Sequence, residues 1–456
     1  MAETESKSLR RDQWVVLAAA FLGWMFDGMQ LGLFPLVARP ALQDVLGITD
    51  DAVIASWNSI IVACFLVGAA AGGLLFGWLG DKIGRVRAMT LSILAYSLFT
   101  GACYFAGSAL QLGVYRFLAA LGMGGQWSLG VALVMECWPQ RHRPKLAGAI
   151  GAASNVGFLL IALVAMTRCV TTHDWRWLML VGASPALLAL AIIALVPESE
   201  RWKAAAAKGG RSPVVEIFCP GLLRKTLLAM VFSAIPLIGT WAAVSGWVPI
   251  WVDQMAEIAA GRRVLQGAAL AEFDEAAQPQ QKHAVLVAAL SEEQWRPIRD
   301  ETSHARSLAQ LVLSLGAIVG CFVAPLVGGA LGRRPTYFGL CLLSLVTCHY
   351  LFRLVTYDAG FLVMVAITGA ITAAFYGWLP LYLPELFPTR VRATGQGLCF
   401  NFGRLVAAGG SLCMGQWVGL MGGDYGRAMA AITSVYALGL VLIWLAPETK
   451  GRPLPE

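Results

Sequence analysis

MECWPQRHRPKLAG at residues 135–148 and PELFPTRVRATGQG at residues 384–397 are one loop written twice. Glu136, Pro139, Arg141, Arg143 and Gly148 fall on Glu385, Pro388, Arg390, Arg392 and Gly397 at an offset of 249. Two further points keep nearly the same register: Pro197-Glu198-Ser199 returns as Pro447-Glu448-Thr449 at offset 250, and Gly84-Arg85 as Gly332-Arg333 at 248. A repeat of this period predicts two equivalent halves. The first apolar stretches of the halves, near 13 and 225, lie only about 212 residues apart, because segment 253–306 is some 40 residues longer than its counterpart at 39–52.

Outward from that loop the chain is apolar. It has 456 residues, 58% of them hydrophobic and only 13% charged, against about 25% charged in a soluble domain. Mean hydropathy is +0.67. Ordinary soluble enzymes, disordered chains and nucleic-acid binders are excluded on this ground. Apolar windows of roughly 20 residues, the length that crosses a bilayer, place helices at 13–38, 53–79, 87–106, 110–135, 145–167, 176–196, 225–252, 307–331, 335–355, 360–383, 393–420 and 427–446. The expected architecture is all-α and membrane-embedded. Residues 1–196 form a six-helix bundle, 197–224 a linker, and 225–456 a second bundle carrying 253–306 as an outer insertion.

Alternating the loops between the two sides gathers 21 of 34 cations on one face: Lys7, Arg10, Arg11, Lys82, Arg85, Arg87, Arg141, Arg143, Lys145, the six between 201 and 225, Arg333, Arg334, Arg390, Arg392, Lys450 and Arg452. The short loops opposite hold Arg39, Arg168, Arg176, Arg353 and Arg427. The positive-inside rule then puts both termini in the cytoplasm, in a plasma or inner membrane. The apolar stretch after the polar N-terminus is too long for a signal peptide and reads as the first helix. Six of the ten cysteines sit inside apolar runs and the five histidines are scattered, so neither a disulfide framework nor a metal site is expected. No cofactor is implied, and the expected state is a monomer. Insertion 253–306 has nine acids and six Lys or Arg, with AEIAA and KHAVLVAAL runs that suit short amphipathic helices. It reads as a solvated cap, or as a lid or partner site.

The loop between the second and third helices, Gly80-Asp81-Lys82-Ile83-Gly84-Arg85-Val86-Arg87, has the form G-D-[KR]-x-G-R-x-[KR]. It resembles the signature of the major facilitator superfamily, and the resemblance covers nearly the whole chain. Tyr115-Arg116 with Gly122 and Gly124, Pro197-Glu198-Ser199-Glu200-Arg201-Trp202, and Pro447-Glu448-Thr449-Lys450-Gly451 are similar to motifs of its sugar-porter-like branch. The resemblance implies a secondary transporter with two six-helix bundles, working by alternating access, and not an enzyme. It also implies a gate in which Asp81, Arg85, Glu136 and Arg143 face Arg333, Glu385 and Arg392. Gly329 stands at the position equivalent to Asp81, so the second copy of the motif departs from the pattern at its acid.

The substrate has to be read from other residues. Trp24-Met25-Phe26-Asp27-Gly28-Met29-Gln30 is similar to the D-G-x-D stretch of aromatic-acid and related carboxylate:proton symporters, with Gln30 replacing the second acid. Charges within spanning helices cost roughly 2.5–3.5 kcal/mol each at the bilayer centre unless paired or facing a cavity. Asp27 with Arg116 resembles the coupling pair of proton-linked sugar porters; a structural salt bridge is the other reading. Arg404 has no acid in its own helix, which favours an anionic ligand held by two parallel hydrogen bonds, or a side chain that reaches the interface. The three asparagines, Asn58, Asn155 and Asn401, all fall in predicted spans, as cavity lining or as interhelical packing. Trp24, Gln126, Trp127, Tyr376 and Trp378 lie on helices that line the cavity in the family, as stacking surfaces or as core. Gly68, Gly72, Gly73 and Gly77 read as packing contacts. The expected function is proton-coupled symport of a small organic acid, with a sugar or polyol as the alternative substrate and a non-transporting receptor as the alternative class.

Overall fold

The computed structural model describes residues 2–48, 51–168, 170–208, 212–354, 357 and 360–456. The side chains of Lys7, Arg10 and Arg211, counted above, lie outside the described ones. Among the described residues there are helices and no strands. Eleven stretches are long and apolar enough to cross a membrane: α1 (Arg11–Leu46), α2 (Val53–Ile83), α3 (Arg85–Phe105), α4 (Ala109–Cys137), α5 (Gln140–Ala165), α6 (Arg176–Leu195), α7 (Pro220–Val264), α8 (Glu292–Leu331), α9 (Arg333–Leu354), α10 (Phe361–Glu385) and, after an intervening helix, the last (Tyr425–Leu445). The intervening helix is α11 (Arg392–Leu420), which makes Tyr425–Leu445 α12. These are the twelve helices of the expected fold, and the chain is a multi-pass membrane protein.

Local chemistry sets the helix joints. Gly84 and Gly332 separate α2 from α3 and α8 from α9 with φ of 109° and 113°, a conformation that side chains with a Cβ rarely adopt. Their equivalence carries the sequence repeat down to single backbone angles. In α7, Pro236 is followed by a wide π-type segment, Leu237–Ser245. A proline inside a helix breaks the regular hydrogen-bond ladder. Thr240 there donates to the Thr372 carbonyl at 2.7 Å and pairs with the Tyr436 hydroxyl at 2.8 Å.

The insertion departs from expectation at both ends, and at its far end α8 already begins at Glu292 instead of 307. AEIAA is not a separate amphipathic helix; the α7 helix simply continues through it to Val264. KHAVLVAAL does form its own helix, Pro279–Ala289, next to Gly267–Glu275. These two pack on a small core of Leu265, Phe273, Val285 and Leu286. Gln254 fastens α7 to the α11–α12 turn by donating to the Gly423 carbonyl at 2.7 Å. The insertion therefore belongs to the second bundle.

The bundles meet along α2 with α11, and along α5 with α8 and α10. The glycines of α2 serve two faces. A Cβ on Gly72 would lie 1.9 Å from the Leu121 carbonyl oxygen of α4, whereas a Cβ on Gly397 of α11 would lie 2.0 Å from the Gly73 carbonyl oxygen. One face of α2 closes its own bundle and the other seats the second bundle against it.

Candidate functional site

Midway along the bundle interface, side chains from four helices converge on one ring. Phe400 of α11 stacks on Trp127 of α4 with centroids 3.9 Å apart and planes at 10°. Trp24 of α1 meets it edge-on at 5.9 Å and Tyr376 of α10 at 6.4 Å. The guanidinium carbon of Arg404, one turn further along α11, lies 5.8 Å from the Phe400 centroid. Trp24, Trp127 and Tyr376 were named from sequence; Phe400 was not.

Asp27 lies three residues beyond Trp24, fully buried, and neither carboxylate oxygen has a hydrogen-bond partner. Arg404 is the cation whose charge acts on it. The Arg404 guanidinium donates to Asn401 Oδ1 at 2.5 Å. The Trp24 and Trp127 ring nitrogens, both amide atoms of Gln126 and of Gln396, and the Tyr376 hydroxyl are also buried without a partner. Buried polar groups are normally satisfied, so their concentration around Phe400 sets this part of the interface apart from the apolar packing on either side. Gln396, Phe400 and Arg404 share one face of α11 at spacings of four. That spacing was the available signal for the two residues the sequence reading passed over.

Three assignments need correction. Asp27 and Arg116 do not pair: Arg116 is buried with its guanidinium 4.9 Å from the Phe34 ring and 4.6 Å from that of Phe65, and its Nε and Nη1 have no partner. Aromatic faces this close stabilise a cation. Trp378 is away from the site; it packs among Tyr337 and Tyr382 in the core of the second bundle. Asn401 is a strut, its amide donating to the carbonyls of Gly124 at 2.9 Å and Gly397 at 2.8 Å. It thus ties α11 to the first bundle and orients Arg404. Asn155 is half-buried on α5 next to Ser154, which packs against Gly28, so it stands at the level of Asp27. Asn58 is half-buried near the start of α2. Gln30, in place of a second acid, links three helices, donating to the Gly182 carbonyl at 2.5 Å and accepting from Thr100 at 3.0 Å.

The end of the bundles that carries both termini is locked. Asp81 accepts from the Ala393 and Thr394 amides at 3.2 and 2.8 Å and from the Thr394 hydroxyl at 2.6 Å, capping α11 across the interface. Arg85 bonds Asp81 at 2.7 Å, Glu136 at 3.1 Å and the Thr389 carbonyl at 2.6 Å. Arg392 reaches back to Glu136 at 2.8 Å. The symmetry-equivalent groups do not cross: Arg333 of the second bundle forms a two-pronged pair with its own bundle's Glu385 at 2.9 and 2.6 Å, and Nε and Nη1 of Arg143, the first-bundle counterpart of Arg392, have no partner. The expectation that Arg333, Glu385 and Arg143 join pairs across the interface is not met, because Gly329 offers no carboxylate and faces only Pro144.

The Major Facilitator Superfamily model matches residues 7–261, and the model described as Sugar (and other) transporter matches residues 336–456. A probable 4-methylmuconolactone transporter of Cupriavidus pinatubonensis is 28% identical over 448 residues, covering 95% of this chain and 90% of that protein. A cis,cis-muconate transport protein of Acinetobacter baylyi is 26% identical over 446 residues, covering 95% and 94%. Among solved structures, a proton:xylose symporter bound to 6-bromo-6-deoxy-D-glucose superposes with a TM-score of 0.72 over 98% of both chains at 16% identity.

Proposed function

The chain belongs to the major facilitator superfamily of transporters, and from that premise we propose that it is a proton-coupled symporter of small organic acids. The observation that carries this reading is the buried Asp27 carboxylate, without a hydrogen-bond partner, with Arg404 as the cation whose charge acts on it. The two charges balance one another when the site is empty. A substrate carboxylate takes the guanidinium, with two parallel hydrogen bonds that an Arg fork supplies and a neutral sugar cannot match. Asp27 then loses its counter-charge in a low-dielectric setting and takes up a proton. Proton and acid are thereby loaded together. Arg404 replaces Arg116 as the partner of Asp27 in this scheme. Trp24, Trp127, Gln126, Tyr376 and Asn155 supply the walls and polar contacts, and relatives named for cis,cis-muconate and 4-methylmuconolactone transport support an acidic or lactone-like substrate.

The end carrying the termini faces the cytoplasm in this reading, because it gathers 21 of the 34 cations. Residues 1–196 and 225–456 rock about the central site, the Asp81, Arg85, Glu136 and Arg392 lock closes the cytoplasmic side, and the working unit is a monomer in a bacterial inner membrane.

Transport in proteoliposomes tests the scheme. Asp27→Asn is permanently neutral, so accumulation driven by a proton gradient disappears while substrate exchange persists. Arg404→Lys weakens acid binding at least tenfold despite keeping the charge. Uphill accumulation by Asp27→Asn, or equal binding of an acid and its amide, overturns the proposal and favours a sugar or polyol.

A further inference from the structure

Among the described residues, Phe400 is the one ring that aromatic side chains of both bundles grip. Trp24 and Trp127 approach it from the first bundle, Tyr376 from the second, and Arg404 stands one helical turn away on its own helix. Its face lies flat on Trp127 while two other rings meet it edge-on, which is the set of contacts that favours a planar π-system over a saturated one. The ring also has a guanidinium over its face, 5.8 Å from the ring centre. The stack on Trp127 and a guanidinium thus lie within one ring's reach of each other.

We propose that Phe400 is a built-in plug that holds the planar-ring slot of the substrate site, and that flat, conjugated monocarboxylates bind by displacing it from Trp127. The inference rests on Arg404 as the carboxylate anchor. It adds a selectivity rule: a flat ring replaces the Phe400 stack in kind, and a puckered ring of the same size and charge does not. It also gives substrate binding a mechanical consequence. The Phe400–Trp127 stack spans the two bundles next to the Asn401 bond to Gly124, so displacing the ring loosens the interface at the point about which the bundles rock.

A plug and a wall predict opposite signs. A residue that competes with ligand lowers the apparent affinity by the fraction of time it holds the site, so removing it tightens binding; removing a wall weakens binding. Calorimetric titration of the full-length purified protein with benzoate, cyclohexanecarboxylate and benzamide separates these cases. In the wild type, benzoate binds at least tenfold more tightly than cyclohexanecarboxylate. Phe400→Ala tightens benzoate three- to tenfold, and Trp127→Leu removes the preference for the flat ring. Phe400→Leu, which keeps bulk without a π-face, also tightens benzoate and serves if the alanine variant does not fold. Weaker benzoate binding in a folded Phe400 variant, or no preference for benzoate over cyclohexanecarboxylate in the wild type, overturns the plug. No benzoate binding in either wild type or Phe400→Leu overturns it as well. Benzamide binding as well as benzoate brings down the carboxylate anchor itself, a separate failure recognisable because Arg404→Ala then leaves affinity unchanged.

Discussion

The α2–α3 and α8–α9 joints descend from one sequence, yet they hold the molecule together in different ways. At both joints a glycine of positive φ is followed by an Arg that reaches back to the carbonyl five residues earlier, Arg85 to Gly80 and Arg333 to Gly328, each at 2.7 Å. At both, a glutamate caps the next helix, Glu198 bonding the Val86 amide and Glu448 the Arg333 amide. A hydroxyl also bonds the central glutamate, Ser199 to Glu136 at 2.6 Å and Thr449 to Glu385 at 2.5 Å. The difference is Asp81 against Gly329. With the aspartate present, the first joint caps α11 of the opposite bundle. Without it, the second joint closes on itself. A duplicated scaffold has been kept while one copy alone took on the crossing contacts, so the lock is one-sided.

The largest effect that follows separates Glu136 from Glu385. Glu136 is buried between Arg85 and Arg392, one from each bundle. Removing one member of a buried ion pair costs about 3–5 kcal/mol because the partner is left uncompensated. Glu136→Gln therefore shifts the bundles toward the state open at the terminal end by a hundredfold or more, read as a change in spin-label distance between the ends of α2 and α11. Glu385→Gln lowers the melting temperature and leaves that distance distribution in place. Equal shifts in the two variants would mean that the lock is shared.

The contrast also explains what could be read in the sequence. The twelve helices, their register and the joint motifs were legible because apolar length and a repeat near 249 residues are properties of the chain itself. Gly329 was legible as a missing acid. Whether Arg116 or Arg404 serves Asp27 was not, because helix rotation decides it: Arg116 is taken by the rings of Phe34 and Phe65, residues with no polar signal. The choice between cavity lining and interhelical packing for Asn401 stayed open, because an amide in a spanning helix has the same sequence appearance whether it faces a ligand or the carbonyl of Gly124. Phe400, one apolar residue among many in its helix, carried no sequence signal of its own; the packing places it between Trp127 and Arg404.

A smaller effect comes from exchanging the odd residues. Asp81→Asn keeps an acceptor but loses the charge, and hydrogen bonds to charged groups are worth about 1.5–3 kcal/mol. Roughly tenfold more of the molecule should then open at the terminal end, with substrate selectivity unchanged. Gly329→Asp supplies a carboxylate beside Pro144 and the unpartnered donors of Arg143, and Pro144 must give slightly, since the new Cβ would lie 3.1 Å from its ring. That variant should hold the terminal end shut longer, slow turnover several-fold, and restore part of the closure lost in Asp81→Asn. If Gly329→Asp leaves turnover and accessibility untouched, the missing acid is not the cause of the asymmetry.

The smallest effect distinguishes the two capping glutamates by pH. Burial pushes the Glu448 carboxyl up, but backbone N–H bonds from Arg333, Arg334, Lys450 and Thr449 outweigh it and hold the group below the ordinary carboxylate range. A carboxyl depressed on folding stabilises the protein above its unfolded value, near 4.3, and that stabilisation is lost as pH falls through the folded value. Glu448 is half-exposed, so solvent screens the contribution and only a few degrees of melting temperature are at stake. Melting curves of purified wild type and Glu448→Gln should differ at pH 7 and draw together as the pH is taken below 4. Glu198, which bonds the amides of Val86 and Ser199, should give a smaller difference at pH 7 in Glu198→Gln. A gap between wild type and Glu448→Gln that stays constant from pH 7 to the acid limit would show that the cap works through shape alone, without the charge that the four amides collect around.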